Sequence, residues 1–363
     1  MTSLESTTRA VDEGCPRRDV HTLPKAHLHL HFTGAMRHST LVELAERDGL
    51  RLPAALTEEW PPHLTAIDEK GWFRFQRLYD VARSVLRTEA DLHRLVLEAA
   101  EDDRDDGSGW MEIQVDPSGY AHHFGGITAF TEMVLDAARD AQRQVGIGIG
   151  VVIAANRTKH PLDARTLARL ARQYAGRGVV GFGLSNDERR GRLDDFAPAF
   201  EIARKADLLS VPHGGELRGP DSVAGCLERL AADRIGHGVR CVEDPRVLDA
   251  VAAAGVPLEV CPVSNVSLGV YASLEEVPVL DLLAAGVPIS LGADDPLLFG
   301  SRLAGQYAVV RAAHGLDDDA LAELARMSIR SSSAPSDIRA ALLDGVDRWL
   351  RAEPSDRSVH PPR

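Results

Sequence analysis

The chain has 363 residues, 44% of them hydrophobic and 26% charged, with a formal net charge of −13. This length and composition suit a soluble globular protein whose core needs no disulfide staples. The acidic balance argues against a general nucleic-acid-binding face, because it repels phosphate backbones, and no apolar run reaches the roughly 18 residues of a membrane span.

In chain order, residues 1–20 lack the apolar segment of a secretory signal, so a cytoplasmic protein is expected. Residues 1–20 and 354–363 read as loose tails around a single domain at 21–353. The four cysteines (Cys15, Cys226, Cys241 and Cys261) are scattered and form no CxxC pair, which excludes a disulfide framework or cysteine zinc knuckle. Cys261 ends an apolar run and reads as a small buried side chain.

Eight short apolar or β-branched runs follow one another, at 26–32, 110–115, 146–154, 179–184, 208–212, 234–237, 257–261 and 287–291. Helix-period segments lie between them, such as DARTLARLARQYAG at 163–176 and DFAPAFEIARKA at 195–206. Strand alternating with helix predicts parallel β/α units, and eight units predict a closed TIM-type (β/α)8 barrel. The stretch 34–109 is too long for one helix and predicts a helical insertion after the first strand, including a helix at 71–86 with aromatics on one face. Beside a site it could act as a lid. Three further helices are expected after the eighth strand.

Chemistry-bearing residues gather at strand ends. In the first strand, KAHLHLHFTG, alternation places His27, His29 and His31 on one face, with His27 a layer deeper. The fifth run leads into HGGE, carrying His213 and Glu216 on a glycine-rich turn. The sixth carries His237 between glycines, and the eighth leads into Asp294 and Asp295. The His29–x–His31 pair at a strand end already favours a metal, whereas HGGE, His237 and the Asp294–Asp295 pair are each alone explained by a structural histidine or a polar turn. Together they lie at the C-terminal ends of four barrel strands, where barrel sites are built. Nitrogen and oxygen donors without cysteine suit a catalytic zinc with an open position.

The motifs PKAHLHLHFTGAMR, VVGFGLSNDE, VPHGGE, RIGHGVR, LEVCPVSNVSLG and SLGADDPLLF, in this order over roughly 24–350, resemble the adenosine deaminase family of metal-dependent hydrolases. The resemblance implies one zinc per chain and hydrolytic removal of the 6-amino group of an adenosine-like nucleoside. It makes His29, His31, His213 and Asp294 the zinc ligands. Glu216 would protonate the ring, His237 would orient the attacking water, and Asp295 would meet the purine's imidazole nitrogen. Three positions depart from the family pattern. Thr33 stands where an acid usually contacts the sugar's 5′ end, Asn186 replaces a glycine whose N–H meets the purine, and His27 replaces what is often Glu. Thr33 therefore opens the same chemistry on a 5′-modified adenosine, such as aminodeoxyfutalosine, or on adenine. The further alternatives are another mononuclear hydrolase on this barrel and a non-catalytic binding protein. No lysine stands at the end of the fourth strand to bridge two metals.

Overall fold

The structure, a computed structural model, describes residues 17–353. Eight parallel strands pair in sequence order: β1 (Lys25–His31), β2 (Ser108–Val115), β3 (Gly148–Asn156), β4 (Val179–Ser185), β5 (Leu209–Gly214), β6 (Ile235–His237), β7 (Leu258–Val260) and β8 (Ile289–Leu291). The ring closes where Asp294, just past β8, bridges to β1. His31 N donates to Asp294 O at 2.9 Å, and Asp294 N donates to His29 O at 3.0 Å. This is the expected TIM-type barrel.

The insertion after β1 holds α1 (His38–Arg47), α2 (Glu69–Ser84) and α3 (Glu89–Asp105). Helix α2 is the one expected at 71–86 and starts on Asp68, whose side chain accepts from Gly71 N. Helix α3 opens with a reciprocal capping box between Thr88 and Asp91 and takes the ordinary position of the first barrel helix, packing on β2. The outer layer continues with α4 (Ile127–Val145), α5 (Pro161–Gln173), α6 (Leu193–Arg204), α7 (Pro220–Leu230), α8 (Pro245–Ala254), α9 (Pro262–Ser267) and α10 (Val279–Ala284). After β8 come the single turn α11 (Pro296–Phe299) and the three expected helices, α12 (Leu303–His314), α13 (Asp318–Ser331) and α14 (Ser336–Arg351).

The apolar core is the layer between strands and helices. Met111, Ile113 and Val115 of β2 and Ile149, Val151 and Ile153 of β3 sit there with the inner faces of α3 and α4. The intervening β2 residues, Trp110, Glu112 and Gln114, point into the barrel. Of the segment expected to be loose at the N-terminus, 17–20 are described. There Arg18 Nε donates to Trp349 O of α14 at 2.9 Å, and Arg18 Nη1 donates to Asp318 Oδ2 at 2.9 Å. Residues 1–16 and 354–363 of the expected tails lie outside the described residues. Among the described residues, no helix is long and apolar enough to cross a membrane.

Candidate active site

Strand β1 does not keep simple alternation. His27 pairs with Met111 and Leu30 with Ile113, so β1 spends three steps where β2 spends two. Such a bulge re-aims side chains. His29 and His31 point to the barrel axis, but His27 points outward. Its Nδ1 meets Asp103 of α3 at 2.8 Å, and its Nε2 accepts from Ala293 N at 3.0 Å. The expectation that His27 shares their face is therefore corrected.

The other strand-end residues converge at the mouth. His31 Nε2 lies 3.2 Å from His213 Nε2 and 3.3 Å from Asp294 Oδ1, and His29 Nε2 lies 3.6 Å from Asp294 Oδ1. His237 Nε2 is 3.7 Å from Glu216 Oε1 and 3.8 Å from Asp294 Oδ2. The backbone bends to allow this. His237 and Asp294 both adopt φ of 62°, a left-handed conformation that non-glycine residues rarely hold and that marks functional strain. Gly236 is needed too, since a Cβ there would sit 2.8 Å from His29 Cε1.

Electrostatics at this cluster suit a cation. Burial lowers His31 to about 4 and His237 to about 3, and takes His213 well below its ordinary value, so all three are neutral donors. His29 goes the other way. Against the burial that lowers it, the adjacent Asp294 and Glu259 carboxylates raise it to about 10, so positive charge is stabilised at its ring. Its Nδ1 is committed to Glu259 Oε2 at 2.8 Å, which leaves Nε2 buried without a partner and aimed at the cluster. Ligand atoms of His29, His31 and His213 lie within 4.8 Å of one another, as do those of His29, His237, Cys261 and Asp294. Cys261 is a poor donor, because burial and the neighbouring carboxylates raise its thiol well above the ordinary range. The residues present thus fit a zinc ion held by His29, His31, His213 and Asp294.

Behind these side chains lies a buried charge chain that sequence reasoning missed. Glu259 accepts from His29 and from Arg234 Nε at 2.7 Å, and Arg234 Nη2 reaches Glu112 inside the barrel. Ser264 Oγ donates to Asp294 Oδ2 at 2.6 Å, and Asn265 Nδ2 lies 3.3 Å from His237 Nδ1. Such outer partners fix ring orientation and ligand basicity.

Glu188, after β4, was also missed. Its Oε1 accepts from Gly215 N at 2.6 Å. Its Oε2 accepts from the N–H groups of Glu216, Leu217 and Arg218 at 3.0, 2.6 and 3.0 Å. One carboxylate thus pins the whole HGGE turn. Arg157 Nη2 adds a bond to His213 O at 2.5 Å. Glu216 and Asp295 are buried carboxyls whose nearby cations, His29 with Arg157 and His29 with Arg83, do not offset their burial. Burial, then Asp294, then Glu188 raise Glu216 well above its ordinary value, and burial followed by Asp294 does the same to Asp295.

Above the cluster opens a cavity lined by His31, His213, Glu216, His237, Asp294 and Asp295, by Gln114 of β2 and Asn156 of β3, and by Asn186 just past β4. Helix α2 forms its roof with Trp72, Phe75, Gln76, Tyr79 and Arg83. Asn186 has φ of 79°, a left-handed backbone that asparagine holds more readily than most residues. Its side chain meanwhile ties to the roof, donating to Gln76 Oε1 at 3.0 Å and accepting from Trp72 Nε1 at 3.4 Å. Thr33 is brought elsewhere. It is fully buried behind the wall, 2.5 Å from the Tyr120 hydroxyl.

An eight-stranded parallel barrel with imidazoles and carboxylates converging at its mouth defines the amidohydrolase class. Comparison narrows this. The sequence profile of the family described as adenosine deaminase matches residues 24–349, and the chain belongs to that family. A Streptomyces virginiae protein provisionally described as an adenosine/adenine deaminase is 63% identical over 333 residues, covering 92% of this chain and 98% of its own. The aminodeoxyfutalosine deaminase of Streptomyces coelicolor is 33% identical over 355 residues, covering 95% and 90%. Among solved structures, the adenine deaminase of Arthrobacter aurescens superposes with a TM-score of 0.83 at 29% identity, covering 91% of this chain and 99% of that one. The chain is therefore a deaminase-type hydrolase.

Proposed function

We propose that the protein is a zinc-dependent hydrolase with one zinc per chain, which removes the 6-amino group of adenosine or deoxyadenosine to give inosine or deoxyinosine and ammonia. One observation carries this: two buried carboxyls, Glu216 and Asp295, face into a cavity whose floor is formed by His31, His213, His237 and Asp294. A carboxyl there keeps its proton at neutral pH and can donate it.

Zinc held by His29, His31, His213 and Asp294 would supply Lewis-acid activation, lowering the pKa of a water to about 7. The chain's own residues do the rest. Glu216 gives its proton to the ring nitrogen beside C6 as water adds to that carbon, offsetting the loss of aromaticity. His237 and Asp294 take the water's first proton and return it to the amino group, which leaves as ammonia when the C6–N bond breaks, and the proton of the hydroxyl left on C6 goes back to Glu216 as the carbonyl forms. Asp295, protonated, donates a hydrogen bond to the imidazole nitrogen and fixes which face of the purine enters. Asn186 presents its backbone N–H to the ring edge, on a turn kept left-handed. Thr33 would act on the sugar only through Tyr120, since it does not reach the cavity wall.

The test is ammonia release by zinc-loaded protein from adenosine, deoxyadenosine, adenine and 5′-substituted adenosines. Turnover abolished by a chelator and restored by zinc supports the reading. A zinc-loaded protein silent on every aminopurine refutes it and brings forward another hydrolase of the same barrel.

A further inference from the structure

The outward turn of His27 puts a buried polar pair, His27 and Asp103, directly behind the donor cluster, where it has no part in the chemistry. Three successive N–H groups just past β8 show what it is for. Gly292 N donates to Val260 O of β7 at 2.9 Å, and Asp294 N donates to His29 O of β1 at 3.0 Å. In a regular strand, N–H groups two residues apart point to the same side. Here they point to opposite neighbours, so the chain turns over at Ala293. That residue is buried, and its N–H donates to His27 Nε2 at 3.0 Å rather than to a strand carbonyl. Ala293 also stands between two restrained residues. A Cβ on Gly292 would lie 2.6 Å from His29 Cβ, and Asp294 holds its left-handed φ of 62°.

A backbone N–H can only donate, so Nε2 carries a lone pair and the ring proton sits on Nδ1. The His29 carbonyl, 3.1 Å from Nε2, is already taken by the Asp294 N–H. Nδ1 donates to Asp103 Oδ1 at 2.8 Å, which locks this tautomer. Asp103 is itself an expensive group, since its Oδ2 is buried with no partner. What it secures is an acceptor at the point where the backbone needs one.

We infer that His27 is a positioning residue for the metal centre: held as an acceptor by Asp103, its Nε2 fixes the Ala293 N–H and, through it, the strained Asp294. This rests on the zinc reading above. The experiment measures zinc affinity by chelator competition, and the visible spectrum of the cobalt(II)-loaded protein, in wild type, His27→Asn, His27→Gln and Asp103→Asn. Asparagine is too short to reach the Nε2 position, whereas the glutamine amide oxygen reaches it. His27→Asn should bind zinc about 10- to 100-fold more weakly, the usual effect of losing an outer partner, with shifted cobalt bands. His27→Gln should recover most of both. In Asp103→Asn the amide can turn its NH2 toward Nδ1, favouring the other tautomer and setting an Nε2–H against the Ala293 N–H. It should shift both readouts as His27→Asn does, and it decides the matter if His27→Asn does not fold. Wild-type affinity and spectrum in Asp103→Asn, or a His27→Gln as impaired as His27→Asn, overturns the positioning role and leaves the zinc site standing. A wild type that binds neither metal overturns both.

Discussion

Replacing Glu188 by Gln tests whether one carboxylate holds the proposed proton donor in place. Four consecutive N–H groups, from Gly215 to Arg218, converge on it, three on Oε2 and one on Oε1. The amide can keep its oxygen on the crowded side, but its NH2 then opposes the Gly215 N–H. One charge-assisted bond is lost and three become neutral, a loss of roughly 3–5 kcal/mol. Melting temperature should fall by about 4–7 °C. Glu216 rides on the released turn, and a displacement of about 1 Å lowers turnover roughly 100-fold. Purine binding through Asp295, on a different strand end, should survive, so kcat should fall far more than KM. The assay is steady-state ammonia release alongside melting and metal content, since retained zinc shows that the ligand set stayed intact. Wild-type kcat and melting temperature in Glu188→Gln would show that something other than the carboxylate holds the turn.

Glu216→Gln should lower kcat by about 10²–10⁴-fold with zinc content unchanged, the usual worth of a positioned acid; retained activity would remove Glu216 from the mechanism. Because burial and the Asp294 and Glu188 charges raise Glu216, its proton is kept through neutral pH and lost as pH climbs through the raised value. The wild-type rate profile should therefore fall on its alkaline side, and a profile that rises there instead would contradict proton donation by Glu216. Glu259→Gln weakens the partner of His29 Nδ1 and should reduce zinc affinity about 10- to 100-fold, measured by competition with a chelator. Asn186→Gly relieves a left-handed backbone and cuts the ties to Gln76 and Trp72. It should leave melting nearly unchanged while raising KM, and an unaltered KM would show that the roof is held without that tie.

The sequence made the barrel legible because its strands are short apolar runs punctuated by turns, and each of the eight observed strands overlaps its expected run. The cluster of His29, His31, His213, His237 and Asp294 was legible because barrel topology alone sends strand ends to one mouth. What was not legible has physical causes. The β1 bulge carries no glycine or proline marker, so alternation misplaced His27. Thr33 stands two residues past the end of β1, but a turn of 3-10 helix over Thr33–Ala35 carries it behind Tyr120. The interior chain of Glu112, Arg234 and Glu259 did leave a signal, as lone charges within apolar strand segments. Such residues must find partners when buried, and pairing them across the barrel would have revealed the support behind His29. Glu188 left a weaker one: nothing local says that a loop carboxylate will bind the backbone of the next strand's turn.

The seam between β1 and β8 has a kinetic meaning. His29, His31 and Asp294 belong to the first and last strands of the ring, and the bonds closing that ring are made by the backbone of Asp294 itself. During synthesis the nascent chain carries its early histidines through the emergence of seven strands before their acidic partner exists. The donor set is therefore assembled by the most sequence-distant strand pairing of the barrel, whose loop-closure entropy must be met before the contact can reward it. An ion held there would bind the closed ring and not the open one, and so would act as a clasp on the barrel, stabilising by mass action the one joint that neighbouring strands in sequence cannot make.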